Sequence, residues 1–216
     1  MKIEVNAQSS IRIAAEKIIY FDPFMIREAS HDADIIYITH DHYDHFSIED
    51  IRKVEKEDTV YVIPECMYNL LGGENVITIK PNEKLEVEGY ETLAIPSYNR
   101  QKHFHPKDKG YVAYIVTIEG KRVYVAGDCD ENDDNLRISC DIALIPIGGH
   151  YTMDYKEATS YINKLRPTLV IPTHYGNGIG DEKDGARFKQ LIDKDIEVEL
   201  LLDKKNEQKR SQQKQG

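Results

Sequence analysis

Short runs of apolar and β-branched residues, four to eight residues long, recur along the whole chain. They lie at 2–5, 11–14, 17–21, 34–39, 59–63, 75–80, 92–95, 111–118, 122–126, 142–147, 168–172 and 197–202. Runs this short and this rich in Val, Ile, Thr and Tyr predict strands. The pair at 111–118 and 122–126, joined by Glu119-Gly120-Lys121, predicts a hairpin with a tight turn.

Helical spacing is rarer. Ser47 with Asp50 resembles a capping box, Asp standing for the usual Glu, ahead of Ile48, Ile51 and Val54. Asp154 with Glu157 repeats the pattern before Ala158, Tyr161, Ile162 and Leu165, and Pro167 ends it. Asp184 is the expected cap of a third helix through Phe188, Leu191 and Ile192. A short helix is expected over 64–71, stopped by Gly72-Gly73. Strands dominate the first two thirds, and strand–helix alternation follows. No Pro/Gly/Ser linker splits the chain, so 1–203 reads as one mixed α/β (α+β) domain.

Composition narrows the class. Hydrophobic residues make up 40% and charged residues 31%, the balance of a soluble globular protein. No apolar run approaches the ~18 residues of a membrane span. The opening Met1-Lys2-Ile3-Glu4-Val5 lacks the apolar stretch of a leader, so a cytoplasmic location is expected. Cys66, Cys129 and Cys140 show no CxxC spacing and read as reduced thiols, Cys129 drawing notice because it follows Asp128. The net charge is −10; residues 204–216 hold five Lys/Arg against one Glu, a local +4 that leaves −14 on the body. That basic, Gln-rich tail has no apolar residues to pack and is expected to be disordered. Nucleic acid is bound mainly through its phosphates, so a body this acidic argues against it as a partner. A small-molecule substrate is expected instead, and the oligomeric state is left open.

The chemistry concentrates in Thr39-His40-Asp41-His42-Tyr43-Asp44-His45. A buried strand delivers His40 at its C-terminal end, where layered folds place their chemistry. Histidines spaced i and i+2 on a tight loop can turn their rings to one cation, and Asp44 with His45 can face a second. Zinc accepts such a mixture of imidazole and carboxylate. Asp128 and His174 each follow an apolar run, as His40 does, so several strand ends can converge on one point. Asp128 alone would read as part of a solvated acidic loop; beside the cluster it reads as a ligand.

The run His40-x-His42-x-Asp44-His45 resembles the HxHxDH signature of the metallo-β-lactamase fold hydrolases. Asp22-Pro23-Phe24, Ala126-Gly127-Asp128 and Ile171-Pro172-Thr173-His174-Tyr175-Gly176 resemble further landmarks of that family. Pro146-Ile147-Gly148-Gly149 and Tyr151-Thr152-Met153 are most similar to its small lactonase-like and phospholipase-D-like members. The resemblance implies a four-layer αββα sandwich with the site at one edge between the sheets. It also implies that Asp128 bridges two metals.

Two positions depart from that pattern, Asn99 and Gln8. The family's next histidine falls where this chain has Asn99, and a few residues on come His103 and His105. His105 is the preferred third histidine, because Pro106 favours an extended arrival; His103, or neither, is the alternative. Asn99 and His150 are candidates for contacting substrate, His150 as a hydrogen-bond donor or as a plain loop residue. Gln8 stands where relatives often carry a histidine.

The expected function is metal-dependent hydrolysis. Two divalent ions, zinc first and manganese second, would lower the pKa of a shared water that Asp44 holds and orients. An ester, lactone or phosphodiester bond in a small anionic molecule fits best. The candidate metal ligands are His40, His42, Asp44, His45, His105, Asp128 and His174. Two rivals remain: a nuclease of the same superfamily, and a non-catalytic metal-binding or sensor protein motivated by Asn99.

Overall fold

Side chains on alternate strand positions sort into separate layers. In β4 (Ala33–Tyr37), Ile35 and Tyr37 join one apolar cluster, while Ile36, with Ile38 beyond the strand end, joins a second cluster containing Ile51 and Val54 of helix α1 (Ile48–Val54). The computed structural model describes residues 1–176 and 178–202. The tail 204–216 expected to be disordered lies outside the described residues.

Strands β1 (Lys2–Ala7), β2 (Ser10–Ala14), β3 (Ile18–Phe21), β4, β5 (Glu55–Pro64) and β6 (Val76–Ile79) form one sheet in sequence order. The first three are antiparallel, and β3 to β6 run parallel. The second sheet follows the order β13 (Glu197–Val198), β12 (Leu169–Thr173), β11 (Ile142–Pro146), β10 (Lys121–Val125), β9 (Val112–Ile118), β8 (Tyr90–Pro96) and β7 (Lys84–Val87). Here β7 to β10 form an antiparallel meander and β10 to β13 are parallel. Parallel neighbours need crossovers: α1 supplies one between β4 and β5, α2 (Tyr155–Leu165) joins β11 to β12, and α3 (Asp184–Leu191) joins β12 to β13.

The two sheets meet over stacked aromatics. Phe21 and Tyr37 stack at 4.9 Å, and Tyr37 meets Tyr114 of the other sheet at 5.0 Å. Their buried phenols are satisfied: Tyr37 Oη lies 2.8 Å from Thr92 Oγ1, and Tyr114 donates to the Ile38 carbonyl at 2.8 Å. On the outer face of the second sheet, Ala158, Tyr161 and Ile162 of α2 and Phe188 of α3 join the main core. The result is the αββα sandwich, in four layers. Among the described residues no helix is long and apolar enough to cross a membrane.

The hairpin forms as read: Ile118 pairs with Lys121, and Glu119 and Gly120 between them both take positive φ, 50° and 73°. Asp154 and Glu157 make a reciprocal capping box, and the helix ends on Arg166 in a left-handed conformation just before Pro167. Ser47 caps α1, and Asp50 meets it through the Ser47 hydroxyl, which donates to its carboxylate at 2.8 Å, while the same carboxylate accepts from the Met25 and Ile26 amides. The helix expected over 64–71 is reduced to a turn at Glu65–Met67, because Pro64 is extended and the glycines follow too soon. Lys183, not Asp184, occupies the cap of α3; Asp184 is its first helical residue and accepts from the Asp181 amide at 2.8 Å.

Candidate metal centre

The parallel pairings send the C-terminal ends of β3 and β4 in one direction, and those of β10, β11 and β12 in one direction. Since β8 and β10 each run antiparallel to β9, β8 points the same way as β10. Val112 at the start of β9 donates to the Thr39 carbonyl beyond β4, so the rims of the two sheets meet there. His40, Asn99, Asp128, His150 and His174 all follow these strand ends.

The HxHxDH loop is closed by the His45 and Phe46 amides, which donate to the His42 carbonyl at 3.0 and 2.8 Å. Behind it stands Asp22, fully buried after β3. Its carboxylate accepts from the Thr39 amide at 2.8 Å, from the Thr39 hydroxyl at 2.6 Å and from His45 Nδ1 at 2.7 Å. The Thr39 hydroxyl spends its proton on Asp22, so His40 Nδ1, 2.9 Å from that oxygen, is the donor to it. Both rings therefore carry a proton on Nδ1 and turn Nε2 toward the cluster. Gly127, at φ 59°, brings the chain after β10 against the loop: a Cβ there would sit 3.0 Å from Thr39 Cβ. This approach delivers Asp128.

The two loop histidines differ in burial: His105 is 1% exposed, whereas His103 is exposed. Asn99 explains the arrival. Its Oδ1 accepts from the His105 amide at 3.1 Å and from His105 Nδ1 at 2.8 Å, and the Asn99 amide donates to the His105 carbonyl at 2.8 Å. His105 Nε2 is thereby freed toward His42 Nδ1, 3.1 Å away.

Three sets of donor atoms each fall within 4.8 Å: His40, His42 and His105; His40, His45 and Asp128; Asp44, His45 and His174. Asp128 lies between them, one oxygen 3.3 Å from His45 Nε2 and the other 3.5 Å from His105 Nε2 and 3.3 Å from His174 Nε2. Asp44 stands 3.3 Å from His174 Nε2. All seven predicted ligands are thus brought together. His40 Nε2, His45 Nε2, Asp128 Oδ1 and both ring nitrogens of His174 are buried without a hydrogen-bond partner. Each such atom costs about 1–3 kcal/mol, so a cluster of them in one place fits a cation that all can share.

The electrostatics agree. Burial drives the His40 ring well below its ordinary pKa, and neighbouring imidazoles add to the effect. Burial likewise lowers His105 to about 4. Burial would raise Asp128, yet His174 and His45 hold it well below the usual carboxylate range. For Asp44 burial is likewise outweighed, by the neighbouring His174 and His45, which lower it. Bare imidazoles and ionised carboxylates are the forms that bind metal. His45 moves the other way: Asp128 and Asp22 overcome its burial and favour an added proton, which Nε2 facing Asp128 would take and a bound cation would displace.

Other candidates lie outside the cluster. His150 is exposed and packs on Tyr151 and Phe104. Asn99 spends its oxygen on His105 and donates to the Tyr151 carbonyl at 3.2 Å. Gln8 is buried at φ 48°, its carbonyl accepting from the His174 amide at 3.0 Å. Cys129 is buried, and its thiol is pushed up to about 12 by burial, so it stays protonated and inert. Sequence reading missed Tyr111, whose hydroxyl donates to Asp41 at 2.6 Å and whose ring lies 5.2 Å from His40. It missed the anchoring done by Asp22 as well, although Asp22-Pro23 after a strand was the visible signal.

Residues 3–174 match the family model described as the beta-lactamase superfamily domain. The chain belongs to this family, as a metal-dependent hydrolase of the metallo-β-lactamase fold. Its curated relatives include a UPF0173 metal-dependent hydrolase of Thermococcus onnurineus, 28% identical over 219 residues that cover 93% of this chain and 96% of the relative. A protein of the same UPF0173 description from Thermoplasma volcanium is 30% identical, with 88% and 91% covered. Among solved structures, Igni18, a metallo hydrolase from Ignicoccus hospitalis, superposes with a TM-score of 0.77 at 25% identity, over 93% of this chain and 94% of that one.

Proposed function

We propose that the cluster holds two divalent ions and hydrolyses an ester, lactone or phosphodiester bond in a small, anionic substrate. The observation that carries this reading is the convergence of five imidazoles and two carboxylates, among which His40 Nε2, His45 Nε2, Asp128 Oδ1 and both ring nitrogens of His174 are buried with no partner in the protein. His40, His42 and His105 would form one position, Asp44, His45 and His174 the other, with Asp128 between. Ions bound there supply Lewis acidity toward the scissile oxygen and lower the pKa of nearby water. Zinc suits the donor set best, and manganese is the alternative.

The chain's own residues do the rest. Thr39, Asp22 and Asn99 engage Nδ1 of His40, His45 and His105, so that each ring turns Nε2 to the cluster as its ligating atom. Asp44 is the less buried carboxylate, its side chain 10% exposed against 4% for Asp128. It is placed to orient the attacking water and accept its proton. As the water oxygen bonds to carbon or phosphorus, the bond to the leaving oxygen breaks, and Asp44 returns the proton to that oxygen.

His105 beside His42 weakens the sensor alternative, which drew on the histidine missing at Asn99. The acidic body speaks against a nuclease. The free Cys66, Cys129 and Cys140 support a reducing, cytoplasmic setting. The test is a panel of lactones, carboxylic esters and phosphodiesters offered to protein reconstituted with zinc or manganese. Turnover that chelation abolishes, and that Asp44→Asn lowers by roughly 10²–10⁴-fold, is expected. Full metal content with no turnover on any bond type would favour the sensor.

A further inference from the structure

Beside the cluster lies a group of rings that the hydrolytic chemistry does not use. Phe104 and Tyr151 are 42% and 37% exposed, and His150 is exposed with them. Phe104 meets Tyr151 at 4.8 Å and 76°, and His150 meets Tyr151 at 4.5 Å and 88°. Phe104 also meets His150 at 5.7 Å and 44°, so the three rings form one tilted, partly exposed group, and a further planar group packs well against exposed ring edges and faces.

These rings are tied to the centre. Phe104 directly precedes His105, and the His105 loop is closed by two backbone amides, Asn99 donating to the His105 carbonyl and His105 to the Asn99 side chain. The same Asn99 side chain donates to the Tyr151 carbonyl. One residue therefore holds both the candidate ligand His105 and the loop bearing His150 and Tyr151. The neighbouring cations are engaged: Lys102 bridges Asp130 and Glu157 at 3.2 Å each, and Arg100 faces Asp133 at 3.9 Å. What this side of the rim offers a ligand is chiefly aromatic surface. Exposed apolar rings on a fixed loop beside a polar site mark a binding surface.

We infer that Phe104, His150 and Tyr151 form a subsite for a flat apolar group, such as an aryl ring, carried on the substrate next to the bond that is cut. The inference rests on the hydrolase reading above and adds the substrate class. Acid–base chemistry stays with the cluster; the three rings set which molecules arrive.

The experiment is titration calorimetry of zinc-loaded protein with 2-naphthoate and with acetate, two carboxylates that differ in the flat group. The parent should bind naphthoate at least about 10-fold more tightly, as one or two aromatic contacts give. Phe104→Ala with Tyr151→Ala should reduce that preference to within about 3-fold at unchanged zinc content, while Tyr151→Phe, which keeps the ring, should retain it. Equal affinity of the parent for the two anions, or a preference that survives loss of both rings, overturns the subsite. Failure of the hydrolase reading shows separately, as absence of turnover on every bond type by a protein that still prefers naphthoate.

Discussion

The side-chain oxygen of Asn99 lies 2.8 Å from Nδ1 of His105. At the position where a histidine was expected, the chain has an acceptor that aims a later histidine. If this bond orients a ligand, Asn99→Ala should weaken zinc affinity by about 10–100-fold, and Asn99→Asp, which keeps an acceptor, should lose much less. Competition against a chromophoric chelator measures both. Equal affinity in Asn99→Ala and parent would mean that His105 needs no orienting partner.

Stability of the chelated protein should depend on pH through His105. Burial lowers this ring to about 4, against about 6.5 in the unfolded chain. Between those values the unfolded chain binds a proton that the folded chain refuses, so stability falls as pH falls through that window. The difference in unfolding free energy between parent and His105→Gln should shrink by up to about 3 kcal/mol from pH 7.5 to 4. Urea titrations at several pH values read it, and a difference that grows toward acid would reverse the sign argued here.

Gly127 lets the chain just before Asp128 pack against Thr39 at the start of the histidine loop. Gly127→Ala places a Cβ 3.0 Å from Thr39 Cβ on a backbone at φ 59°. The expected cost is about 1–3 kcal/mol, with loss of bound metal because Asp128 and Thr39 are pushed apart. Thermal melts and metal content decide it: a variant as stable and as fully loaded as the parent would show that the contact relaxes freely.

The cluster was legible where its donors follow apolar strands: His40, His42, Asp44 and His45 sit side by side, and Asp128 and His174 each follow such a run. Pro106 was enough to favour His105. What could not be read was the reason, because the contact between Asn99 and His105 exists only once the loop folds back on itself. Tyr111 was missed because a tyrosine opening a strand looks like core until Asp41 is placed beside it. Strand β7 escaped because Lys84-Leu85-Glu86-Val87 alternates charge and apolarity at a sheet edge, a weak pattern in so short a run. The Ser47–Asp50 pair resembles a reciprocal cap in sequence; in the fold the shorter aspartate takes the Ser47 hydroxyl and the Met25–Ile26 amides.

The central claim is that the seven clustered side chains hold two divalent ions, and elemental analysis tests it most directly. Protein reconstituted with zinc or manganese and freed of loose metal should carry close to two ions per chain. Asp128→Ala, which removes the carboxylate between His45, His105 and His174, should carry one or fewer. A parent stoichiometry well below one ion per chain with either metal would contradict the account.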